Sequence, residues 1–185
     1  MTRIHVREGD VALEPLDAIF SAAEGRMGQR SDRVLELERR AGPEFQAECR
    51  DLALVEPGGA ALTGAGDLTA RFVVHVGVAD AKGCVTRESV GAALRAGLEL
   101  ASSRGCATVG VAALGNESGE LSAQDCAESL MEVAREVARS GTAIEDLHFI
   151  LEGEPLFRVF EMVRDAAKVE EQMKKLRDRR GGASS

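Results

Sequence analysis

The chain has 185 residues, of which 44% are hydrophobic and 29% are charged, a balance typical of one globular domain with a substantial core. Its formal net charge of -8 opposes binding to nucleic acid as a general role, because the phosphate backbone carries charge of the same sign. We expect a cytoplasmic protein without membrane contact, since the polar start MTRIHVREGD lacks a signal peptide's apolar region and no apolar run reaches the roughly 20 residues of a membrane helix.

The hydrophobic pattern predicts that strands and helices alternate along the chain. Alternating apolar and polar residues indicate that the first strand is half-buried, and short apolar runs indicate buried strands. Segments whose apolar residues recur with the period of a helix lie between these strands. The predicted strands cover residues 3–7, 17–23, 71–78, 107–114 and 147–151, and the predicted helices cover residues 31–41, 86–104 and 122–139. Turns are predicted at residues 58–59 and 64–66, on either side of a further short strand. This alternation predicts an α/β domain with a parallel or mixed sheet.

The C-terminal segment carries a heptad pattern. Its apolar residues recur at alternating spacings of three and four: Val159, Met162, Ala166, Val169, Met173 and Leu176. This spacing is typical of a helix that packs against a partner helix, although its first half could instead pack on the sheet. We expect a domain over residues 1–165 and a helical extension with a flexible tail over residues 166–185, which could bind a protein partner or a second copy. The basic residues of this tail are best interpreted as a solvated helix end rather than a nucleic-acid-binding arm.

The cysteines and histidines show no pattern of a metal site or a catalytic triad. The four cysteines are Cys49, Cys84, Cys106 and Cys126. They are widely spaced, with no CxxC pair, so we expect buried thiols and neither a zinc site nor a disulfide framework. His75 lies in the apolar run FVVHVGV and is expected to be structural, whereas His5 and His148 are far apart in sequence. No metal, no cofactor and no catalytic residue are therefore predicted.

Three loops follow predicted strands at the edge where α/β sheets bind ligands. In open α/β sheets, ligands bind in the crevice outside the carboxyl ends of the strands. The loops after residues 17–23, 107–114 and 147–151 read EGRMGQRSD, GNESGE and EGEP. Their glycines permit close approach of backbone to phosphate, although such glycines are also common in turns. The loops alone therefore indicate where a ligand would bind rather than which ligand.

Five motifs resemble the macro domain family in order and spacing. They are GDV at residues 9–11, LDAIFSAAE at 16–24, RRAGPEFQAEC at 39–49, PGGAALTGAGDL at 57–68 and FVVHVGV at 72–78. The resemblance extends over nearly all of residues 3–160. It implies a three-layer α/β/α sandwich with a mixed, mostly parallel sheet. Members of this family bind ADP-ribose, and some hydrolyse ADP-ribosyl esters on proteins or deacetylate O-acetyl-ADP-ribose.

The resemblance also implies a ligand site. Asp10 matches the acidic residue that accepts a hydrogen bond from the adenine amino group, and Val11 matches the apolar residue beside the adenine. The alternative for Asp10 is a turn or helix-cap aspartate. Arg26 and Arg30 are the nearby cations that could bind the diphosphate. The complete predicted ligand-binding set is Asp10, Val11, Ala23, Glu24, Arg26, Arg30, Gly115, Asn116, Glu117, Ser118, Gly119 and Glu152.

Four positions depart from the family pattern. The asparagine that holds the distal ribose corresponds to Glu24, the catalytic aspartate to Val34, and an aromatic residue that stacks beside the adenosine to Glu152. Because valine cannot activate water, hydrolysis by the family's usual mechanism has no base. Glu117 stands where a glycine normally faces phosphate. The three glutamates would repel a bound diphosphate unless a cation neutralises them.

Three functions are compatible with this pattern. The favoured one is binding of ADP-ribose or a related nucleotide without hydrolysis, because the backbone-built parts of a nucleotide site survive side-chain change better than catalytic parts do. The second is a pseudoenzyme that has lost the ligand and serves as a protein-interaction scaffold. The third is an active ADP-ribosyl hydrolase or O-acetyl-ADP-ribose deacetylase that uses Asp32 or Glu24 as its base, and for Asp32 the loop would have to shift.

Overall fold

The computed structural model describes residues 2–23, 31–52, 55–80, 82–116 and 121–181. The strands are β1 Arg3–Glu8, β2 Ala18–Ala23, β3 Ala60–Gly64, β4 Phe72–Gly77, β5 Thr108–Val111 and β6 Asp146–Leu151. The helices are α1 Asp32–Asp51, α2 Arg87–Ser103, α3 Ala123–Ser140 and α4 Glu154–Gly181, and a short 3-10 helix, Val11–Leu13, follows β1. Each strand and helix predicted from the sequence coincides with an observed one, and β3 is the short strand expected between the glycine turns.

The described strands form one sheet in the order β1-β6-β5-β2-β4-β3. The neighbours from β1 to β4 pair in parallel, whereas β3 pairs with β4 in the antiparallel direction. Parallel neighbours require crossover connections, and the helices supply them. The expected mixed, mostly parallel sheet is confirmed.

Helices cover both faces of this sheet. Along β2, Phe20 belongs to the core shared with α2, α3 and α4, whereas Ile19 belongs to the core shared with α1 and the 3-10 helix. This follows from the period of two along a strand, which directs successive side chains to opposite faces. Gly97 lets α2 approach closely, because a Cβ at this position would collide with the Phe20 ring. The three-layer α/β/α sandwich is confirmed.

Helix α1 consists of two helical segments joined at a kink. The predicted helix ended at Ala41, and Gly42 has φ 83° and ψ -177°, a conformation available to glycine but not to other residues. Pro43 follows and has no N–H to donate to the preceding turn. Ser31 caps the amino end by accepting a hydrogen bond from the N–H of Val34. The helical geometry resumes after the kink and continues to Asp51, ten residues beyond the predicted end.

Helix α4 is continuous across the predicted boundary between residues 165 and 166. Phe160 and Ala167 are buried against the domain. Five of the six heptad residues are exposed on its surface: Ala166 and four large side chains, with exposed fractions of 61% for Met162, 60% for Val169, 47% for Met173 and 52% for Leu176. Among the described helices, none combines the length and apolar character that crossing a membrane requires.

The thiols differ from the sequence-based prediction. Cys106 and Cys126 are buried, as expected. Cys49 is only partly buried and Cys84 is exposed. The prediction of a buried thiol is therefore wrong for Cys84, which lies on the loop between β4 and α2.

Candidate functional site

Five neighbouring parallel strands end at one edge of the sheet. The residues that follow β1, β6, β5 and β2 line this edge, which we call the carboxyl-edge crevice. Of the predicted ligand-binding residues, the structure places Asp10, Ala23, Gly115, Asn116 and Glu152 at this edge. Val11 follows Asp10 and is buried. The other six predicted positions, Glu24, Arg26, Arg30, Glu117, Ser118 and Gly119, lie outside the described residues.

Asp10 is fixed at the mouth of the crevice by two hydrogen-bond donors. Its Oδ1 accepts a hydrogen bond of 2.9 Å from the N–H of Ala12, so it caps the 3-10 helix. Its Oδ2 forms an ion pair with Nη1 of Arg40, which extends from α1. The alternative of a helix-cap aspartate is therefore realised in the structure. Capping leaves the carboxylate available, since each of its oxygens has a second acceptor site.

Arg40 connects Asp10 to a second carboxylate, that of Glu36 in α1. Its Nε donates a hydrogen bond of 2.7 Å to Oε1 of Glu36. Hydrogen bonds from Arg39 and Arg40 lower the pKa of Glu36 to about 2, so this carboxylate stays ionised. Arg40 is thus shared between two carboxylates, Asp10 and Glu36.

Glu152 has a cationic partner at the crevice. Nη2 of Arg33, in the first turn of α1, lies 3.2 Å from Oε2 of Glu152. The side chains are 32% and 48% exposed, so the pair contributes at most about 1 kcal/mol to stability. The repulsion that Glu152 was expected to exert on a bound anion is therefore balanced by Arg33.

Arg33 and Arg40 were missed in the sequence-based prediction of the site. That prediction considered only the cations of the loop after β2, namely Arg26 and Arg30. The signal was present, because residues seven apart lie on one face of a straight helix, and the kink of α1 comes after both arginines. The helix therefore presents two cations toward the crevice.

Asn116, in the loop after β5, uses its polar groups within the chain. The side-chain amide of Asn116 donates a hydrogen bond of 3.0 Å to the carbonyl of Leu121, and its N–H donates to the carbonyl of Ala113 at 3.2 Å. Gly115 has a positive φ of 84°, and a Cβ there would collide with Val90 of α2. These contacts hold Gly115 and Asn116 in place.

Val11 and Val34 add no polar group to the crevice. Val11 is buried in the core shared with α1. Val34 lies in the first turn of α1, where its N–H donates to Oγ of Ser31. Asp32 is exposed in the same turn. Among these residues only Asp32 carries a group that could act as a base.

His75 has the structural role expected from the sequence. It is buried between Thr63 and Phe45, with its Nε2 2.9 Å from Oγ1 of Thr63 and its ring stacked on Phe45 at 5.8 Å between centroids. Burial lowers the pKa of His75 to about 4, so the ring is neutral near pH 7.

His5 and His148 are adjacent in the fold, although their separation in sequence gave no sign of this. They are register partners in the parallel pair β1–β6, and their rings stack with centroids 4.6 Å apart. His5 Nε2 lies 2.7 Å from Oδ1 of Asp146, which also binds the guanidinium of Arg3. The contacts with Arg3 and His5 hold the pKa of Asp146 well below its usual range. This cluster lies toward the amino ends of the strands, away from the carboxyl-edge crevice.

Comparison with known proteins identifies the family. A family model described as Macro domain matches residues 21–130. An uncharacterized protein of Mycobacterium tuberculosis (strain ATCC 25618 / H37Rv) is 31% identical over 160 residues, which cover 86% of this chain and 44% of that protein. The chain thus spans less than half the length of this relative.

A further relative and a solved structure of the same fold match over most of both chains. The Macro domain-containing protein in the sno 5'region of Streptomyces nogalater is 31% identical over 158 residues, covering 82% of this chain and 86% of the relative. The solved structure of the Oceanobacillus iheyensis macrodomain with ADP has a TM-score of 0.80 at 15% identity, covering 88% of this chain and 90% of that chain. With the family model matching more than half of its length, the chain belongs to the macro domain family.

Proposed function

We propose that this chain binds ADP-ribose, or a nucleotide that contains it, in the carboxyl-edge crevice and does not hydrolyse it. The observation that carries the proposal is the placement of Asp10. Its carboxylate lies at the end of β1 and is held in place by the N–H of Ala12 and by Arg40. A fixed carboxylate suits an amino group such as that of adenine, because it accepts hydrogen bonds and has acceptor sites left.

The cations of α1 support binding of the ligand's diphosphate. Arg33 interacts with Glu152 through a half-exposed pair, which is weak in water. A diphosphate carries more charge than a carboxylate and offers oxygens in a geometry that a guanidinium binds with two hydrogen bonds. It can therefore replace Glu152 as the partner of Arg33. A solved relative of the same fold carries ADP, which supports this class of ligand.

The absence of hydrolysis follows from the side chains of the first turn of α1. Val34, at the position of the family's catalytic aspartate, can neither accept a proton nor orient a water molecule. The exposed Asp32 lies two residues earlier, which on a helix places it on a different face. The crevice thus keeps features for holding a nucleotide while lacking the usual base.

Calorimetric titration with ADP-ribose tests this proposal. We expect a saturable heat with one ligand per chain, and weaker binding of ribose 5-phosphate, which has no adenine for Asp10. Chromatography of O-acetyl-ADP-ribose after incubation with the protein should show no deacetylation above the uncatalysed rate. A lack of heat at millimolar ADP-ribose would refute the binding proposal, and turnover would refute its second part.

Replacing Glu152 by glutamine is expected to tighten ADP-ribose binding about threefold. The substitution removes a negative charge and frees Arg33 for the diphosphate, and such half-exposed charges are worth about 0.2–1 kcal/mol. Titration of both proteins with the same ligand measures the change. Glu145→Gln is the matched control, because Glu145 is an exposed carboxylate at the opposite edge of the sheet. Equal or weaker binding by Glu152→Gln would contradict the prediction.

A second candidate function rests on the exposed apolar stripe of α4. We propose that Met162, Val169, Met173 and Leu176 pack against the same residues of a second copy in an antiparallel pair. Residues 154–165 contain three acidic and two basic side chains, whereas residues 168–181 contain six basic and three acidic ones. An antiparallel arrangement brings these oppositely charged halves together.

Met173→Glu combined with Leu176→Glu is expected to convert a dimer into a monomer. Two charged residues within the apolar seam leave unpaired charge on association. Light scattering after size exclusion, at a concentration of about 100 µM, where a weak pair would be populated, measures the mass. Gln172→Glu, on an exposed polar position of the same helix, should remain dimeric. A monomeric parent protein at this concentration would exclude self-association through α4.

A further inference from the structure

His5, Asp146 and His148 lie together on one face of the β1–β6 strand pair. His5 and His148 are register partners, and Asp146 lies two residues before His148, so the period of two places the three side chains on the same face. Val6 and Phe149, which follow them in the strands, are buried in the core on the other face. The cluster therefore faces away from α4.

The three side chains offer donor atoms within a small volume. One donor atom from each residue can be chosen so that all three lie within 4.8 Å of one another. His5 Nε2 is already 2.7 Å from Asp146 Oδ1. The side chain of His5 is 39% exposed, which leaves a route from solvent. Two imidazoles and one carboxylate form a donor set used for zinc and related ions in many proteins.

The second observation that points to a bound ion is the unpaired ring nitrogen of His148. Its Nδ1 is buried and has no hydrogen-bond partner among the residues that the structure describes. Buried polar atoms are nearly always paired, and an unpaired one needs an explanation. The stacked ring of His5 cannot satisfy this atom through its face, whereas a cation that approaches in the plane of the His148 ring would.

We propose that His5, Asp146 and His148 bind a divalent transition-metal ion of the zinc, cobalt and nickel class. Each imidazole supplies one nitrogen, Asp146 supplies one carboxylate oxygen, and water completes the coordination. Tetrahedral ligands at about 2.1 Å from the ion are about 3.4 Å from one another. The donor atoms, which lie within 4.8 Å of one another, therefore have to draw closer, and the two imidazole rings have to tilt out of their stack to direct a nitrogen at the same ion. The ion replaces the hydrogen bond between His5 and Asp146, while Arg3 continues to orient the carboxylate.

The surrounding charges set the expected strength of this site. Arg3 and Arg7 are cations that weaken binding of a further positive charge. Glu14 offsets part of this, because it pairs with Arg7 at 2.9 Å. We therefore expect moderate affinity and a preference for ions that favour nitrogen donors over Mg²⁺, which prefers oxygen. The ion would tie the edge strand β1 to β6 and so connect residues about 140 positions apart. This proposal replaces the expectation that the chain holds no metal.

Titration of the chelator-treated full chain with Zn²⁺ and with Co²⁺ tests the site. We expect one ion per chain, a visible absorption band from bound Co²⁺, and no comparable binding of Mg²⁺. His148→Gln and His5→Gln should each weaken Zn²⁺ binding by roughly tenfold or more. Circular dichroism establishes that these variants are folded.

Cys84→Ser is the control for binding elsewhere, because the exposed thiol of Cys84 is a competing ligand outside the cluster. This variant should retain the Zn²⁺ stoichiometry and affinity of the parent chain. The proposal is overturned by two results. One is the absence of Zn²⁺ binding at about 100 µM, a concentration that would saturate a moderate site. The other is Zn²⁺ binding that both histidine variants retain, and its loss in Cys84→Ser would then assign the ion to that thiol.

Discussion

Lowering the pH from 7 toward 4 is expected to reduce the free energy of unfolding by about 3 kcal/mol through His75 alone. Burial lowers the pKa of His75 from 6.5 to about 4 in the fold. In the unfolded chain the ring is solvated and regains its ordinary pKa. Between pH 6.5 and 4 the unfolded chain therefore binds a proton that the folded protein excludes. Stability from this residue is fully present above pH 6.5 and is lost as the pH falls to about 4.

Urea unfolding at several pH values between 7 and 4.5, followed by circular dichroism, measures this dependence. In His75→Gln the dependence should become much shallower, because glutamine does not titrate and can still hydrogen-bond to Thr63. The comparison is made within each variant, so a uniform loss of stability does not affect it. If the free energy of unfolding falls equally steeply with pH in His75→Gln and in the parent protein, the prediction is contradicted.

His148 provides the control for this experiment. Burial, together with the charges of Arg7 and His5, also lowers the pKa of His148, so it contributes in the same direction. His148→Gln should retain most of the pH dependence, since its ring is less buried than that of His75. The pKa values of Asp17 and Asp146 are lowered from an ordinary value near 4, so these carboxylates lose their charge below the pH range used.

The fold could be predicted because its signals are local. The strands β2, β4 and β6 are continuous apolar runs in the sequence, which predicts that they are buried. Their parallel arrangement follows from the alternation of strands with helices. The end of the predicted first helix at Ala41 was close to correct, because Gly42 and Pro43 break the helix there. What the local pattern could not give is that helical geometry resumes beyond the kink, where packing of Phe45 in the core continues α1.

The site could be predicted only in part because its pairs are not local. Asp10 and Glu152 were identified from the resemblance, but their partners Arg40 and Arg33 come from a helix whose orientation the sequence does not specify. The proximity of His5 and His148 depends on β1 lying beside β6, which is a property of the sheet order. Side chains that meet through topology, rather than through sequence spacing, were the ones missed.

Asp10→Asn is expected to weaken ADP-ribose binding about tenfold while leaving the fold intact. A hydrogen bond to a charged group is worth about 1.5–3 kcal/mol, and the loss of the charge removes about half of that strength. Asparagine is as good a helix cap as aspartate, so the hydrogen bond from the N–H of Ala12 can persist. The ion pair with Arg40 is lost, but Arg40 keeps its hydrogen bond to Glu36 and its side chain is partly exposed, so the loss costs at most about 1 kcal/mol. Thermal unfolding should therefore change little, whereas calorimetry should show the loss of affinity.

An analogue of ADP-ribose with hypoxanthine in place of adenine separates recognition of the amino group from a general loss of binding. The analogue presents a carbonyl oxygen where adenine has its amino group, and this acceptor would face the carboxylate of Asp10. The parent protein should prefer ADP-ribose over the analogue by about tenfold, which corresponds to about 1.4 kcal/mol. Asp10→Asn should lose this preference, because an amide can donate as well as accept. If the parent protein binds both ligands equally, Asp10 acts only as the cap of the 3-10 helix, and any nucleotide in the crevice is held by Arg33 and the loop backbone instead.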